Sequence, residues 1–144
     1  MNDEMKSRGV TLIELVIVIA ILALLTGTAI LSFDPAQQLA RARNTQRWSH
    51  VQSYINAISE NIADNNNVFT CAAGPIPTST IVLGTSGYNI AGCITPTYIV
   101  SLPLDPQTGT STDTGYSIVQ NASTSVITVT SDDAELGDAI SASR

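Results

Sequence analysis

Basic residues and histidine are scarce in this chain of 144 residues. Six Lys and Arg stand against twelve Asp and Glu, and His50 is the sole histidine. Nucleic-acid binding needs clustered positive charge to neutralise phosphates, and a formal net charge of −6 does not supply it. The composition therefore argues against nucleic acid as the main partner.

The one basic cluster is formed by Arg41, Arg43 and Arg47 on a predicted helix. Three arginines at this spacing predict a solvated helix face or a contact surface in an assembly. Contact with DNA is the alternative interpretation of the same cluster.

Catalytic signatures are also missing from the sequence. His50 lies on the predicted helix just after Trp48. The chain shows no phosphate-cradling loop, no nucleophile elbow and no metal-binding pair. We therefore expect a protein that is not an enzyme and carries no cofactor.

The two cysteines, Cys71 and Cys93, lie in a polar region rich in loops. They have neither CxxC nor CxxH spacing, which disfavours a zinc site. Outside the cytoplasm we expect a disulfide, and closing a loop of about twenty residues would contribute roughly 3 kcal/mol. Two unpaired buried thiols are the alternative.

Apolar residues are concentrated near the amino terminus, where LVIVIAILALL runs from Leu15 to Leu25 without a polar side chain. A soluble helix would show a polar face, and the apolar segment from Val10 reaches the twenty or so residues that cross a bilayer. The sequence predicts a transmembrane helix over residues 10–33. Because no A-x-A-like site follows it, any cleavage must precede it.

The residues Arg8-Gly9-Val10-Thr11-Leu12-Ile13-Glu14 resemble the processing motif of type IV pilins and type II secretion pseudopilins. The resemblance covers about the first 25 residues. It implies that residues 1–9 are a leader peptide and that a membrane peptidase cuts between Gly9 and Val10. It also implies N-methylation of Val10.

Glu14 is the only ionisable side chain in the predicted span. A carboxylate in hydrocarbon costs a few kcal/mol unless it finds a partner or reaches the interface. The resemblance implies an assembly role for Glu14, in which it pairs with the amine of Val10 in an adjacent subunit. The alternative is that Glu14 reaches the headgroup region.

The rest of the chain predicts an α+β fold. Asp34 can cap and Pro35 can begin a second helix over residues 34–65, with a break near this pair. Its apolar stripe, spaced three or four residues apart, is Trp48, Val51, Ile55, Ile58 and Ile62.

Residues 66–144 are expected to form an extracytoplasmic β-rich head, packed on this amphipathic stripe as a small antiparallel sheet. Short runs of β-branched and aromatic residues between turn signals mark its strands. The predicted strands are Thr80 to Leu83, Tyr98 to Leu102, Tyr116 to Val119 and Val126 to Thr130.

The segment Leu102-Pro103-Leu104-Asp105-Pro106 resembles a turn of the major pseudopilins of type II secretion. Those proteins bind calcium through a carboxy-terminal loop, so the resemblance makes Asp132, Asp133 and Asp138 candidate ligands. Solvation of the chain end or capping of a short helix is the alternative.

Taken together, the resemblance implies a structural subunit of a type IV pilus-like filament. The alternatives are a major pseudopilin, a minor tip subunit, or a membrane-anchored binding protein that does not polymerise. The expected partners are identical or related subunits, prepilin peptidase, an inner-membrane platform and an assembly ATPase. The precursor would be a single-pass membrane protein with an extracytoplasmic head, later part of a cell-surface or periplasm-spanning filament.

Overall fold

A computed structural model describes residues 9–32 and 34–144, with the side chains of 28–32 left undescribed. Its elements, in chain order, are α1 (Leu12–Ser32), α2 (Pro35–Asp64), β1 (Ile81–Val82), α3 (Ala91–Ile94), β2 (Tyr116–Gln120), β3 (Ile127–Ser131) and β4 (Ser141–Ser143). The α+β class is thereby confirmed. The chain divides into two compact units, with the boundary between Ala36 and Gln37.

The helix α1 takes up almost all of the first unit's described part. It has an acidic residue, Glu14, in its first turn. Over the described residues, no helix combines the length and the apolarity that crossing a bilayer requires. The span predicted for residues 10–33 thus stays a prediction.

The helix start predicted at Asp34-Pro35 is present, since α2 begins at Pro35, and the break before it stays a prediction because Phe33 lies outside the described residues. The amide of Ala36 donates to Asp34 Oδ1 at 3.0 Å. This is the N-cap geometry, in which a short carboxylate satisfies an amide that has no partner within the helix. Proline suits the next position because its missing N–H would be unpaired there anyway.

The second unit is an antiparallel four-stranded sheet packed against α2. The strands follow the order β1-β2-β3-β4, and β2 and β3 pair over five residues, with Ile118 opposite Val129. Alternate residues of β3 are buried, as expected for a sheet with one face on the core. Between sheet and helix lie, among others, Val51, Tyr54, Ile58, Ile118 and Val129.

Three of the four predicted strands are present and one prediction was wrong. The segment from Tyr98 to Leu102 forms no strand and follows α3 as irregular chain, with Tyr98 and Leu102 packed against the core. A strand that was not predicted, β4, pairs with β3 instead. Its sequence, Ser-Ala-Ser, lacks the branched and aromatic residues that favour strands.

The buried face of α2 also differs from the predicted stripe. Val51, Ile55 and Ile58 are buried as expected, but Trp48 is 48% exposed. The positions that complete the buried face are small or polar: Ala40, Asn44, Arg47, Tyr54, Ala57 and Asn61. A prediction based on the spacing of large apolar residues cannot identify these buried positions.

Candidate processing and assembly site

The bond between Gly9 and Val10 lies in non-helical chain directly before α1. Both residues are exposed, and Val10 retains 69% of its accessible surface. The helix starts only at Leu12. The backbone at this bond is therefore exposed and free of helical hydrogen bonding, as access by a peptidase requires.

Gly9 is not needed by the fold of the described chain. A Cβ added at this position would meet no atom within 4 Å, and the backbone is not left-handed there. Neither close packing nor a positive φ therefore requires glycine. Residues 1–8 of the predicted leader lie outside the described residues.

Glu14 sits in the first turn of α1, where a carboxylate is favoured by the helix dipole. The backbone amide of Glu14 donates to Thr11 Oγ1 at 3.3 Å. Its side chain is exposed. Within the described chain no cation lies within ion-pair distance of Glu14.

In the second unit, a buried ion pair joins α2 to the turn at Asp105. Arg47 Nε donates to Asp105 Oδ2 at 2.6 Å and Nη2 to Oδ1 at 3.2 Å. Both side chains have no exposed surface. Asp105 Oδ1 also accepts from the amides of Gln107 and Thr108, so the same carboxylate shapes the turn and anchors it to the helix.

Glu135 extends this ion pair into a network on α2. Arg43 and Arg47 each donate to its carboxylate, at 2.6 and 2.7 Å. These hydrogen bonds lower the pKa of Glu135 to about 2. The side-chain amide of Asn44 donates to the Glu135 carbonyl oxygen at 2.8 Å, and its Oδ1 accepts from the Glu135 amide at 3.0 Å.

This network corrects the interpretation of the basic cluster as a solvated face. Arg47 is fully buried and Arg43 is partly covered, and both are neutralised by carboxylates from distant parts of the chain. Of the three arginines, only Arg41 remains on the exposed surface of α2.

Cys71 and Cys93 form a disulfide. It lies beside the carboxyl end of α2, where the side-chain amide of Asn61 donates to the carbonyl oxygens of Thr70 and Cys93 at 3.1 and 3.0 Å. The Thr70 amide donates back to Asn61 Oδ1 at 2.9 Å. One buried asparagine and one disulfide thus fix the loop after α2 to α3.

The three aspartates considered for calcium each accept a hydrogen bond from a different side chain. Asp132 accepts from Ser117 Oγ at 2.5 Å, Asp133 accepts from the Thr108 hydroxyl, and Asp138 accepts from Asn44 at 2.7 Å. No cluster of three or more acidic, histidine or cysteine side chains suited to a metal occurs among the described residues. Their contacts are those of side chains that tie loops together.

Comparison with known proteins identifies the amino-terminal segment. Residues 5–30 match the model of the prokaryotic N-terminal methylation motif. This motif is the hallmark of type IV prepilins and pseudopilins, so the chain carries the N-terminal signature of a pilin-like or pseudopilin subunit. No match was found among curated proteins or among solved structures.

Proposed function

We propose that this chain is the precursor of a structural subunit of a type IV pilus-like filament. In this proposal it is cut between Gly9 and Val10, N-methylated at Val10 and assembled through α1. The proposal rests on one observation: the methylation motif coincides with a helix whose large apolar side chains are exposed.

The surface of α1 supports the proposal because nothing in the described part of its own unit covers it. Large apolar side chains stay at least 45% exposed along residues 12–25. Each Leu, Ile or Val that becomes fully buried contributes roughly 1.5–3 kcal/mol. Lipid would cover this surface in the single-pass precursor, and neighbouring copies of α1 would replace the lipid in the filament.

Glu14 and Val10 supply the register of assembly in this proposal. Cleavage creates an amine on Val10 with an ordinary pKa near 8, mostly cationic at neutral pH. A carboxylate in an apolar filament core costs several kcal/mol unless paired. An ion pair between Glu14 of one copy and the Val10 amine of the next would offset this cost. The pair can form at only one axial offset between neighbouring subunits, so it would fix their register.

The partners that follow are identical or related subunits, prepilin peptidase, an inner-membrane platform and an assembly ATPase. The filament would lie at the cell surface or span the periplasm. We infer a structural and not a catalytic role, without a resident cofactor.

A second candidate is the major pseudopilin of a type II secretion system. The observation that favours it is the Leu102-to-Pro106 turn, which resembles that of pseudopilins and is held to α2 by the buried pair between Asp105 and Arg47. The two candidates share processing and assembly and differ in the machine that builds the filament.

Two substitutions test processing and assembly separately in cells that contain an active prepilin peptidase. Gly9→Leu should leave the chain uncut, and because the space around Gly9 is open the fold should not change. Glu14→Gln should be cut normally but be missing from sheared filaments, whereas Glu14→Asp, which retains the charge, should assemble in part. Assembly of Glu14→Gln at the wild-type level would contradict the role given to the carboxylate.

A further inference from the structure

The exposed side of α2 carries a strip formed by Arg41, Thr45, Trp48 and Gln52, called here the Trp48 strip. Steps of four, three and four residues place these side chains on one side of a helix. All four are exposed, and Trp48 keeps 48% of its surface accessible. Ala40, Asn44 and Val51, each directly before a residue of the strip, are buried.

The composition of the Trp48 strip is that of a binding surface. Arg43 and Arg47 are occupied by carboxylates of the fold, but Arg41 has no carboxylate within ion-pair distance in the part of the chain that the structure describes. Tryptophan and arginine are the residue types most enriched where binding energy concentrates in interfaces. Arg41 and Trp48, one heptad apart, would therefore bind a partner surface that combines a carboxylate with apolar side chains.

A groove with the complementary charge lies farther along α2, toward its carboxyl end. It is called here the Glu60 groove. It encloses about 260 Å³ and is lined by Ser53, Asn56, Ala57, Glu60, Tyr98 and Ile99. Glu60 is exposed and makes no ion pair within the described chain. Glu60 is the one carboxylate among these lining residues, and none of them is basic. The groove is therefore acidic.

We propose that the Trp48 strip of one copy docks in the Glu60 groove of a second copy. The Trp48 ring would cover Tyr98 and Ile99, and the Arg41 guanidinium would lie beside the Glu60 carboxylate. A second copy is the occupant because one chain displays both halves of a charge-complementary pair. The inference rests on the proposed filament function and deepens it by naming a contact between heads.

The two surfaces lie far apart on α2. Arg41 and Glu60 are separated by roughly 28 Å along the helix, at 1.5 Å per residue. In the proposed filament each copy uses its Trp48 strip on one neighbour and its Glu60 groove on another. Such a contact is heterologous, and each docked copy leaves a free patch for the next.

Charge reversal in the full chain tests this contact, with sheared filaments quantified by immunoblot. R41E and E60R should each lower the filament yield on the order of tenfold, because each places like charges together in the interface. The double variant R41E/E60R restores the opposite pair and should recover yield to within about twofold. R144E is the matched control for R41E, since it makes the same charge change at an exposed arginine outside both surfaces.

A photo-crosslink gives an independent readout of the contact. With p-benzoylphenylalanine at position 48 and a mixture of ¹⁴N- and ¹⁵N-labelled chains, irradiation should yield an inter-copy peptide that contains Tyr98 and Ile99. A crosslink elsewhere, no inter-copy crosslink, or a double variant no better than the single ones would overturn the docking proposal. The mass of the same chains shows whether they are cut. An uncut wild-type chain would contradict the filament function, whereas a chain that is cut and assembled without this crosslink would contradict only the docking proposal.

Discussion

Replacing Asp105 by asparagine removes the charge that balances the buried guanidinium of Arg47. The pair is fully buried and joined by bonds of 2.6 and 3.2 Å. Removing one partner of such a pair costs about 3–5 kcal/mol, because the other charge is left without compensation. Since Glu135 still contacts Arg47 at 2.7 Å, we expect the lower half of this range, about 3 kcal/mol. That is a large part of the roughly 5–15 kcal/mol that stabilises an ordinary domain.

The assay is urea unfolding of the mature full chain in detergent, followed by the fluorescence of Trp48, the sole tryptophan. Linear extrapolation gives the free energy of unfolding, and an unchanged slope shows that the same unit unfolds. Arg43→Ala is the matched control, since its pair with Glu135 is partly exposed and should cost 1 kcal/mol or less. If Asp105→Asn costs no more than Arg43→Ala, the reasoning is refuted.

The same variant should change how stability depends on pH. Burial by itself would raise the pKa of Asp105, but the Arg47 guanidinium and the amides of Gln107 and Thr108 lower it from 3.8 to about 2. The folded pKa thus lies below the unfolded value. Its stabilisation is fully present above about pH 4 and is lost as the pH falls toward 2, by roughly 2 kcal/mol. Asp105→Asn should show a correspondingly flatter loss between pH 5 and pH 2.

Three further predictions concern the same compact unit. Replacing Cys71 and Cys93 by serine should lower the free energy of unfolding by about 3 kcal/mol, and dithiothreitol should lower the melting temperature of the wild type but not of the variant. Gly115→Ala should lower the free energy of unfolding in urea by more than about 1 kcal/mol, because φ is +77° and the new Cβ would lie 2.6 Å from the Cβ of Asp105. An unchanged free energy of unfolding would contradict the turn geometry. Ile58→Ala should cost about 2–5 kcal/mol in calorimetry, whereas Trp48→Ala, outside the core, should cost less than about 1 kcal/mol.

Local signals in the sequence predicted the local features correctly. Asp34 and Pro35 marked the start of α2 because capping and a preset φ depend on a few adjacent residues. The three strands that were found have branched or aromatic residues between turn signals. The methylation motif is likewise a short contiguous pattern, and residues 5–30 match it.

Features that depend on distant contacts could not be predicted in this way. Arg47 reads as a solvated helix residue until Asp105 and Glu135, 58 and 88 positions away, are brought against it. Trp48 was placed in the core because periodicity counts it as apolar, yet Asn44 and Arg47 occupy the neighbouring buried positions through polar contacts. The strand β4 forms because β3 offers an edge for pairing, which the sequence Ser-Ala-Ser does not reveal.

The most direct test of the central claim is the intact mass of the protein from its native membrane, with peptide mapping of the amino terminus. The account predicts a mature chain that lacks residues 1–9 and begins at N-methylated Val10. A chain that still begins at Met1, in cells where prepilin peptidase is shown to be active, would contradict the filament function and leave a membrane-anchored protein that does not polymerise.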